Sequence, residues 1–282
     1  MIGDPPCPPA AYAGRALFEP IAELLSGFPH GLPDVAALNA LLRAHASEAC
    51  TGSGCTTRFV PPPAGMDGYE EHIHATGEVP TRPHDWHDFF NALAWCVWSR
   101  AKAACNGAHL RELAARSAAG LPGRGPVRDA LTQFDECGVL VVSTDPLIPA
   151  LLAAHAWHEA FWVQRPRLLA STRFLVFGHG SWEQLRRPFF GLCAKALYRV
   201  VDDPWLALPA RARQAEADAW LAARLADPAR PLGKADLAPL PLLGIPGVTS
   251  ASESGDYYRD VRQFRPQRGP RGMDREQLRA GQ

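Results

Sequence analysis

The sequence has no excess charge of either sign. Its 29 lysines and arginines balance 29 aspartates and glutamates, which removes the broad basic field that drives nucleic-acid or acidic-membrane binding. It also has no long apolar run: the stretches around 89–97 and 139–142 fall far short of the ~20 residues a bilayer requires. No transmembrane helix and no membrane partner are therefore expected. The opening residues MIGDPPCPPAAYAGR have neither a basic start nor a continuous apolar segment, so they do not read as a secretory signal. Cysteines stand at 7, 50, 55, 96, 105, 137 and 193, an odd number in a chain large enough to fold without disulfide staples. Reduced thiols and a cytoplasmic setting follow as expectations. There is no internal repeat, no G-x-G-x-x-G, no P-loop, no H-E-x-x-H and no G-x-S-x-G. The usual signatures of nucleotide cradles, zinc proteases and serine hydrolases are thus missing.

What is present is ordinary globular composition over 282 residues, 47% hydrophobic and 21% charged. One domain over 15–266 is expected, with flexible ends at 1–14 and 267–282. Helical periodicity covers 15–28 and 34–48, and 50–83 reads as loop around Pro61, Pro62 and Pro63, with a short strand or turn of helix as the alternative at 69–76. A clear helix starts at the N-cap Asp85 and runs to about His109, with Trp86, Phe89, Phe90, Leu93, Ala94 and Val97 at helical spacing. Another spans Pro126 to Glu136 and is ended by Gly138. Val139–Val142 and Phe174–Phe177 are short apolar runs of strand character. They flank a helix opened by Asp145 and Pro146 and running to about Gln164, and this reads as a βαβ unit with parallel strands. Ser181 and Gln184 form a capping-box pattern for a helix from Trp182 to about Tyr198, and a last helix spans 211–225. The fold class expected is α/β: a small, mostly parallel sheet flanked by many helices, with an N-terminal helical part.

Four segments, GEVPTRPHDWHDFFNALAW (77–95), RDALTQFDECGVLV (128–141), RFLVFGHGSWEQL (173–185) and PLPLLGIPG (239–247), with FRP at 264–266, resemble a proteobacterial domain-of-unknown-function family marked by a Trp-His-Asp-Phe-Phe-Asn-Ala core. The resemblance covers roughly Gly14 to Pro266. It implies no activity, so it transfers no functional residue, and the Cys50 and Cys55 pair is not part of its pattern.

The residues themselves offer several constellations. His87, Asp88 and Asn91 occupy the first turns of one helix, where the dipole favours a neutral imidazole suited to a base or a metal ligand. Their other reading is cap and packing. Asp135 and Glu136 end a helix, where negative charge calls for a metal ion, Arg128 or another cation; an ordinary salt bridge would do the same. In Phe177-Gly178-His179-Gly180-Ser181-Trp182-Glu183 a strand turns into a helix, the place where open α/β sheets bind ligands, and an anion is favoured there. A plain glycine turn is the alternative. His155 and His158 are expected to pack with Trp157, Phe161 and Trp162. Cys50, Cys55, His72 and His74 have the residue types of a zinc site without the finger spacing, so free thiols are expected.

These features point to an enzyme for acid/base or divalent-metal-assisted hydrolysis of a small molecule, with an anion as one option. His87, Asp88 and His179 would be catalytic and Asn91, Asp135, Glu136 and Glu183 supporting. Gly178, Gly180 and Ser181 would bind substrate. Metal identity and oligomeric state stay open. The other reading is a non-catalytic binding or scaffold protein whose polar residues are caps and networks and whose Trp-rich helices form a partner surface. Convergence separates the two, because an enzyme needs the helix from Asp85 to face the His179 loop.

Overall fold

The computed structural model describes residues 7–267; of the flexible ends expected at 1–14 and 267–282, residues 1–6 and 268–282 lie outside the described residues. A 3-10 turn, Pro9–Tyr12, comes first, its Tyr12 ring buried against Phe18 and Trp86. Then follow α1 (Ala22–Ser26), α2 (Val35–His45), β1 (Arg58–Val60), α3 (Tyr69–Thr76), β2 (Glu78–Pro80), α4 (Trp86–Val97), α5 (Ser99–Ala118) and α6 (Gly125–Cys137). The second half comprises β3 (Gly138–Ser143), α7 (Leu147–Ala153), α8 (Arg165–Ser171), β4 (Thr172–Val176), α9 (His179–Leu185), β5 (Cys193–Val200), α10 (Pro204–Ala207), α11 (Ala210–Ala226) and β6 (Ala238–Pro241). No described helix is long and apolar enough to cross a membrane.

Helix α4 is central because it is buried along most of its length, its one polar face being that of His87, Asp88 and Asn91. Asp85 caps it by accepting from the Asp88 N–H at 3.0 Å, and every residue from Asp88 to Cys96 is buried. It packs on α2 and α9, with Phe90 between Phe18, Trp86 and Trp182. The single helix expected to about His109 is in fact broken at Trp98 (φ −126°, ψ 34°). Its indole donates to the Val176 carbonyl at 2.8 Å. The new start is capped from another helix: Asp218 of α11 accepts from the Arg100 and Ala101 N–H groups at 3.2 and 2.8 Å, satisfying donors that a helix start otherwise leaves orphaned.

The main sheet has the order β4-β3-β5-β6, and the fully buried β3 lies inside it. β3 and β5 are parallel, pairing Gly138 with Lys195 through Ser143 with Val200, whereas β5 and β6 are antiparallel. The parallel pairing expected between Val139–Val142 and Phe174–Phe177 does not occur: β3 and β4 are antiparallel, Val139 facing Val176 and Ser143 facing Thr172. The reason lies in the connection. A parallel crossover must carry the chain back along the length of the strands, but the helix from 147 stops at Ala153 and His155 takes φ +56°. The chain then passes through a π turn, Glu159–Val163, and α8 returns it to the end it left, where Thr144 N–H donates to Ser171 at 3.0 Å. The class is α/β, and the sheet is mixed.

The helix expected from Trp182 to about Tyr198 also ends early. α9 stops at Leu185, before Pro188, and Cys193–Val200 is β5, since proline cannot donate within a continuing helix. Its N-cap is Gly178 rather than Ser181. Gly178 N–H and Phe177 N–H both donate to Gly138 O at 2.9 Å. A Cβ on Gly178 would sit 2.3 Å from the Gly138 nitrogen, and one on Gly180 would sit 2.8 Å from Glu136 Oε2. These glycines press the start of α9 onto the α6–β3 junction. Gly178→Ala is accordingly expected to lower the unfolding free energy by about 1–3 kcal/mol, read from urea midpoints; an unshifted midpoint would show that the backbone yields at no cost.

Candidate metal centre

The glycine contacts bring three helix ends together. His87 stands on the first turn of α4, Glu136 on the last turn of α6, and His179 begins α9 with Glu183 one turn on. His87 Nε2 and His179 Nε2 lie 3.0 Å apart although 92 residues separate them. Glu136 faces both, its carboxylate oxygens 3.8 Å from His87 Nε2 and 3.7 Å from His179 Nε2. Behind the rings stand two more carboxylates. Glu183 is 3.0 Å from His87 Nδ1, and Asp135 is 3.7 Å from His179 Nδ1. Lys102 holds Asp135 through both oxygens at 2.6 and 2.8 Å.

Proton accounting says what this arrangement wants. Carboxylates only accept, so the Glu183 contact places the proton of neutral His87 on Nδ1 and leaves a lone pair on Nε2. If His179 donates its Nε2 proton to that lone pair, its own Nδ1 lone pair faces the Asp135 carboxylate; this buried nitrogen has no hydrogen-bond partner. If the His179 proton sits on Nδ1, toward Asp135, two bare Nε2 atoms confront each other. A cation held by His87 and His179 would remove both conflicts, as would one further proton on His87, which would then donate to both Glu183 and His179. His87 has the hydrogen-bonded carboxylate, Glu183, of the kind that orients metal-bound imidazoles, and Asp135 faces His179 Nδ1 from 3.7 Å. Two ligands on a tetrahedral zinc with bonds of ~2.0–2.1 Å lie ~3.3 Å apart, close to the observed separation. Among the described residues, His87, Glu136 and His179 offer donor atoms all within 4.8 Å of one another.

The electrostatics agree. Burial, reinforced by the Lys102 charge, pushes the His179 imidazole down to about 3 against the pull of Asp135, so it is neutral with an available lone pair. Burial raises the Glu136 carboxyl above its ordinary value, opposed by His87. At Asp135 burial pushes upward too, but Lys102 and His179 outweigh it and the carboxyl titrates low.

The group opens into a cleft of about 590 Å³ whose walls include Tyr69, Glu70, Arg82, Arg124, Arg128 and Thr132. Asp88 and Asn91 also line it, but Asp88 is engaged by Arg82, which donates from its backbone N, Nε and Nη2 at 2.6, 2.8 and 2.9 Å. Those bonds hold the Asp88 carboxyl below its ordinary value in spite of its burial. Asn91 Nδ2 donates to the Tyr69 hydroxyl at 3.1 Å, and burial, with Glu70 and Asp135 nearby, keeps that phenol protonated far into the alkaline range. Ser181 is buried inside α9, while Gly178 and Gly180 face the chain's own α6–β3 junction.

Lys102 and Tyr69 escaped the reading of the sequence. A signal exists for the first: Lys102 shares a helix face with the buried Trp98, Cys105 and His109, spacing that marks a lysine forced inward. His109 shows what that face costs ionisable groups, burial holding its imidazole down to about 4. Because the unfolded ring takes a proton near ~6.5, its contribution is present above that pH and is lost as pH falls through the folded value. His109→Gln should therefore flatten the decline of stability between pH ~6.5 and ~4; parallel urea midpoint curves for variant and wild type would contradict this.

The remaining constellations do not converge. His155 stacks on Trp157 with ring centroids 4.9 Å apart. Cys50, Cys55, His72 and His74 form no ligand cluster among the described residues: His72 Nε2 lies 3.2 Å from Glu78 and Cys55 Sγ donates to Ala75 O. All seven cysteines are unpaired.

Over residues 57–268, from just before β1, the chain matches the family described as Protein of unknown function (DUF3025). No curated protein and no solved structure matches it.

Proposed function

Since the chain belongs to that family, whose description names no activity, we propose from the site itself that the protein is a divalent-metal-dependent hydrolase of a small molecule, with His87, Glu136 and His179 as ligands. The carrying observation is the 3.0 Å confrontation of the two Nε2 atoms, faced by Glu136, with a carboxylate toward each Nδ1. Two histidines and one carboxylate are a donor set of hydrolytic zinc sites, which leave a fourth position open. All three of these residues line the cleft, so an ion they held would be open to a substrate there. A bound ion would polarise a substrate oxygen and lower the pKa of a water.

The chain's own residues supply the rest. Glu183 orients the His87 imidazole, Asp135 sets a negative charge facing His179 Nδ1, and Lys102 offsets that charge. Tyr69 accepts from Asn91 while keeping its own proton, so it serves as a hydrogen-bond donor to a substrate oxygen in the cleft. The seven unpaired thiols support a cytoplasmic setting. A scaffold built on tryptophans has less behind it, because Trp95, Trp98 and Trp182 are buried in the core.

Elemental analysis of natively purified protein, followed by zinc titration of chelator-treated protein, tests the reading. About one ion per chain is expected, as for a single tetrahedral site. Protein that purifies without metal and takes up no zinc, manganese or cobalt would remove it.

A further inference from the structure

The face of α6 that ends in Glu136 begins with two arginines that the rest of the structure does not explain. Arg124, Arg128, Thr132 and Glu136 follow one another at four-residue intervals, and all four line the same cleft. Arg124 is the N-cap and Arg128 stands one turn later, with no acidic residue in the first turn and no capping side chain. Two like charges at i and i+4 repel, and both sit at the positive end of the helix dipole, which disfavours cations. Arg116 adds a third guanidinium beside Gly125, although its N–H groups are taken by the Pro122 and Gly123 carbonyls. No carboxylate pairs with Arg124 or Arg128 among the described residues. Arg128 Nε is enclosed without an acceptor. Such a placement works against folding, and a negatively charged occupant of the cleft resolves every part of it.

One hydrogen bond shows how far along α6 the Arg124 guanidinium is drawn toward the metal group. Arg124 Nη2 donates to Thr132 Oγ1 at 2.5 Å, so its guanidinium is drawn along α6 toward Thr132, one turn before Glu136. At 1.5 Å per residue that is about 6 Å along the axis. Resting on the reading of the cleft as a substrate site, we propose that Arg128, with Arg124, forms an anion subsite, so that the substrate is a small molecule carrying a carboxylate or phosphate group a few bonds from the hydrolysed position. This location differs from the glycine turn at Gly178 and Gly180, where the chain's own backbone fills the space an anion would need. Arg82, the other arginine of the cleft, is committed to Asp88.

The test titrates the full chain with inorganic phosphate and, separately, with succinate. Melting temperature and calorimetry are followed for wild type, Arg128→Gln, Arg128→Lys, Arg124→Gln and His87→Ala. Wild type should be stabilised by at least one of the two anions, the tighter one naming the group as phosphate or carboxylate. Arg128→Gln should weaken that anion at least tenfold, and Arg128→Lys and Arg124→Gln should fall between. Without anion, Arg128→Gln should melt at or above wild type, because a charge conflict has been relieved. His87→Ala should still bind the anion, which separates this subsite from the metal: a protein that takes up no metal but loses phosphate or succinate with Arg128→Gln refutes the hydrolase reading alone. The subsite is overturned if neither anion binds wild type, if Arg128→Gln binds like wild type, or if it melts lower in anion-free buffer. Should Arg128→Gln not fold, unchanged anion binding by Arg124→Gln and Arg128→Lys overturns it equally.

Discussion

Replacing Lys102 with methionine is expected to cost about 3–5 kcal/mol of stability, the range for breaking a buried ion pair by removing one partner. The Lys102 side chain is 6% exposed and Asp135 19%, so water replaces little of what Lys102 gives the Asp135 charge. The Lys102 ammonium is the cation that keeps the Asp135 carboxyl low against burial; without it the carboxylate is left unpaired close to Glu70, whose own carboxyl burial and the Asp135 charge already raise. Urea unfolding of Lys102→Met measures the loss. A paired variant, Lys102→Met with Asp135→Leu, should regain most of it, because swapping a whole buried pair for apolar groups is often neutral. A loss below about 1 kcal/mol in the single variant would mean that Asp135 finds water or another partner.

The second large effect concerns the ion. His179→Ala, His87→Ala and Glu136→Gln should each weaken zinc binding by more than the ~10–100-fold typical of losing an outer partner, whereas Glu183→Gln, which leaves all three ligands in place, should fall inside that range. Glu136 is the cleanest probe: its side chain is 46% exposed whereas that of His179 is 5% exposed, so Glu136→Gln removes a ligand with little disturbance of packing. Zinc at ~100 times its dissociation constant should raise wild-type stability by ~2.7 kcal/mol and the ligand variants by little. Equal zinc affinity in wild type and all three ligand variants would show that the ion binds elsewhere and that the two rings share a proton.

How much of this could be read beforehand differs from element to element. Helix α4 was legible because its start is written within four residues, Asp85 capping Asp88, and because its apolar spacing is helical. The apolar runs of β3 and β4 were legible as strands for the same reason, each being a short local preference. Their relative direction was not, since it depends on a positive-φ histidine, His155, and a π turn that send the connection back. The break at Trp98 is equally invisible in its own neighbourhood. It is stabilised by Val176 and Asp218, the latter 117 and 118 positions from the amides it caps.

The candidate site divides along the same line. His87, Asp135, Glu136 and His179 stand out in the chain because they interrupt apolar segments at helix ends, where a polar group has a local electrostatic consequence. The sequence by itself thus determined on which local elements His87, Asp135, Glu136 and His179 sit, since caps, periodicity and end charges act within a turn or two. Only the tertiary structure decided that His87 meets His179 with Glu136 facing both, that Asp135 is held by Lys102 while Asp88 is held by Arg82, and that the strands run as they do. Those outcomes depend on which helix ends can approach, and here the approach is set by backbone contacts at Gly178 and Gly180, a property of two packed surfaces that no single segment contains.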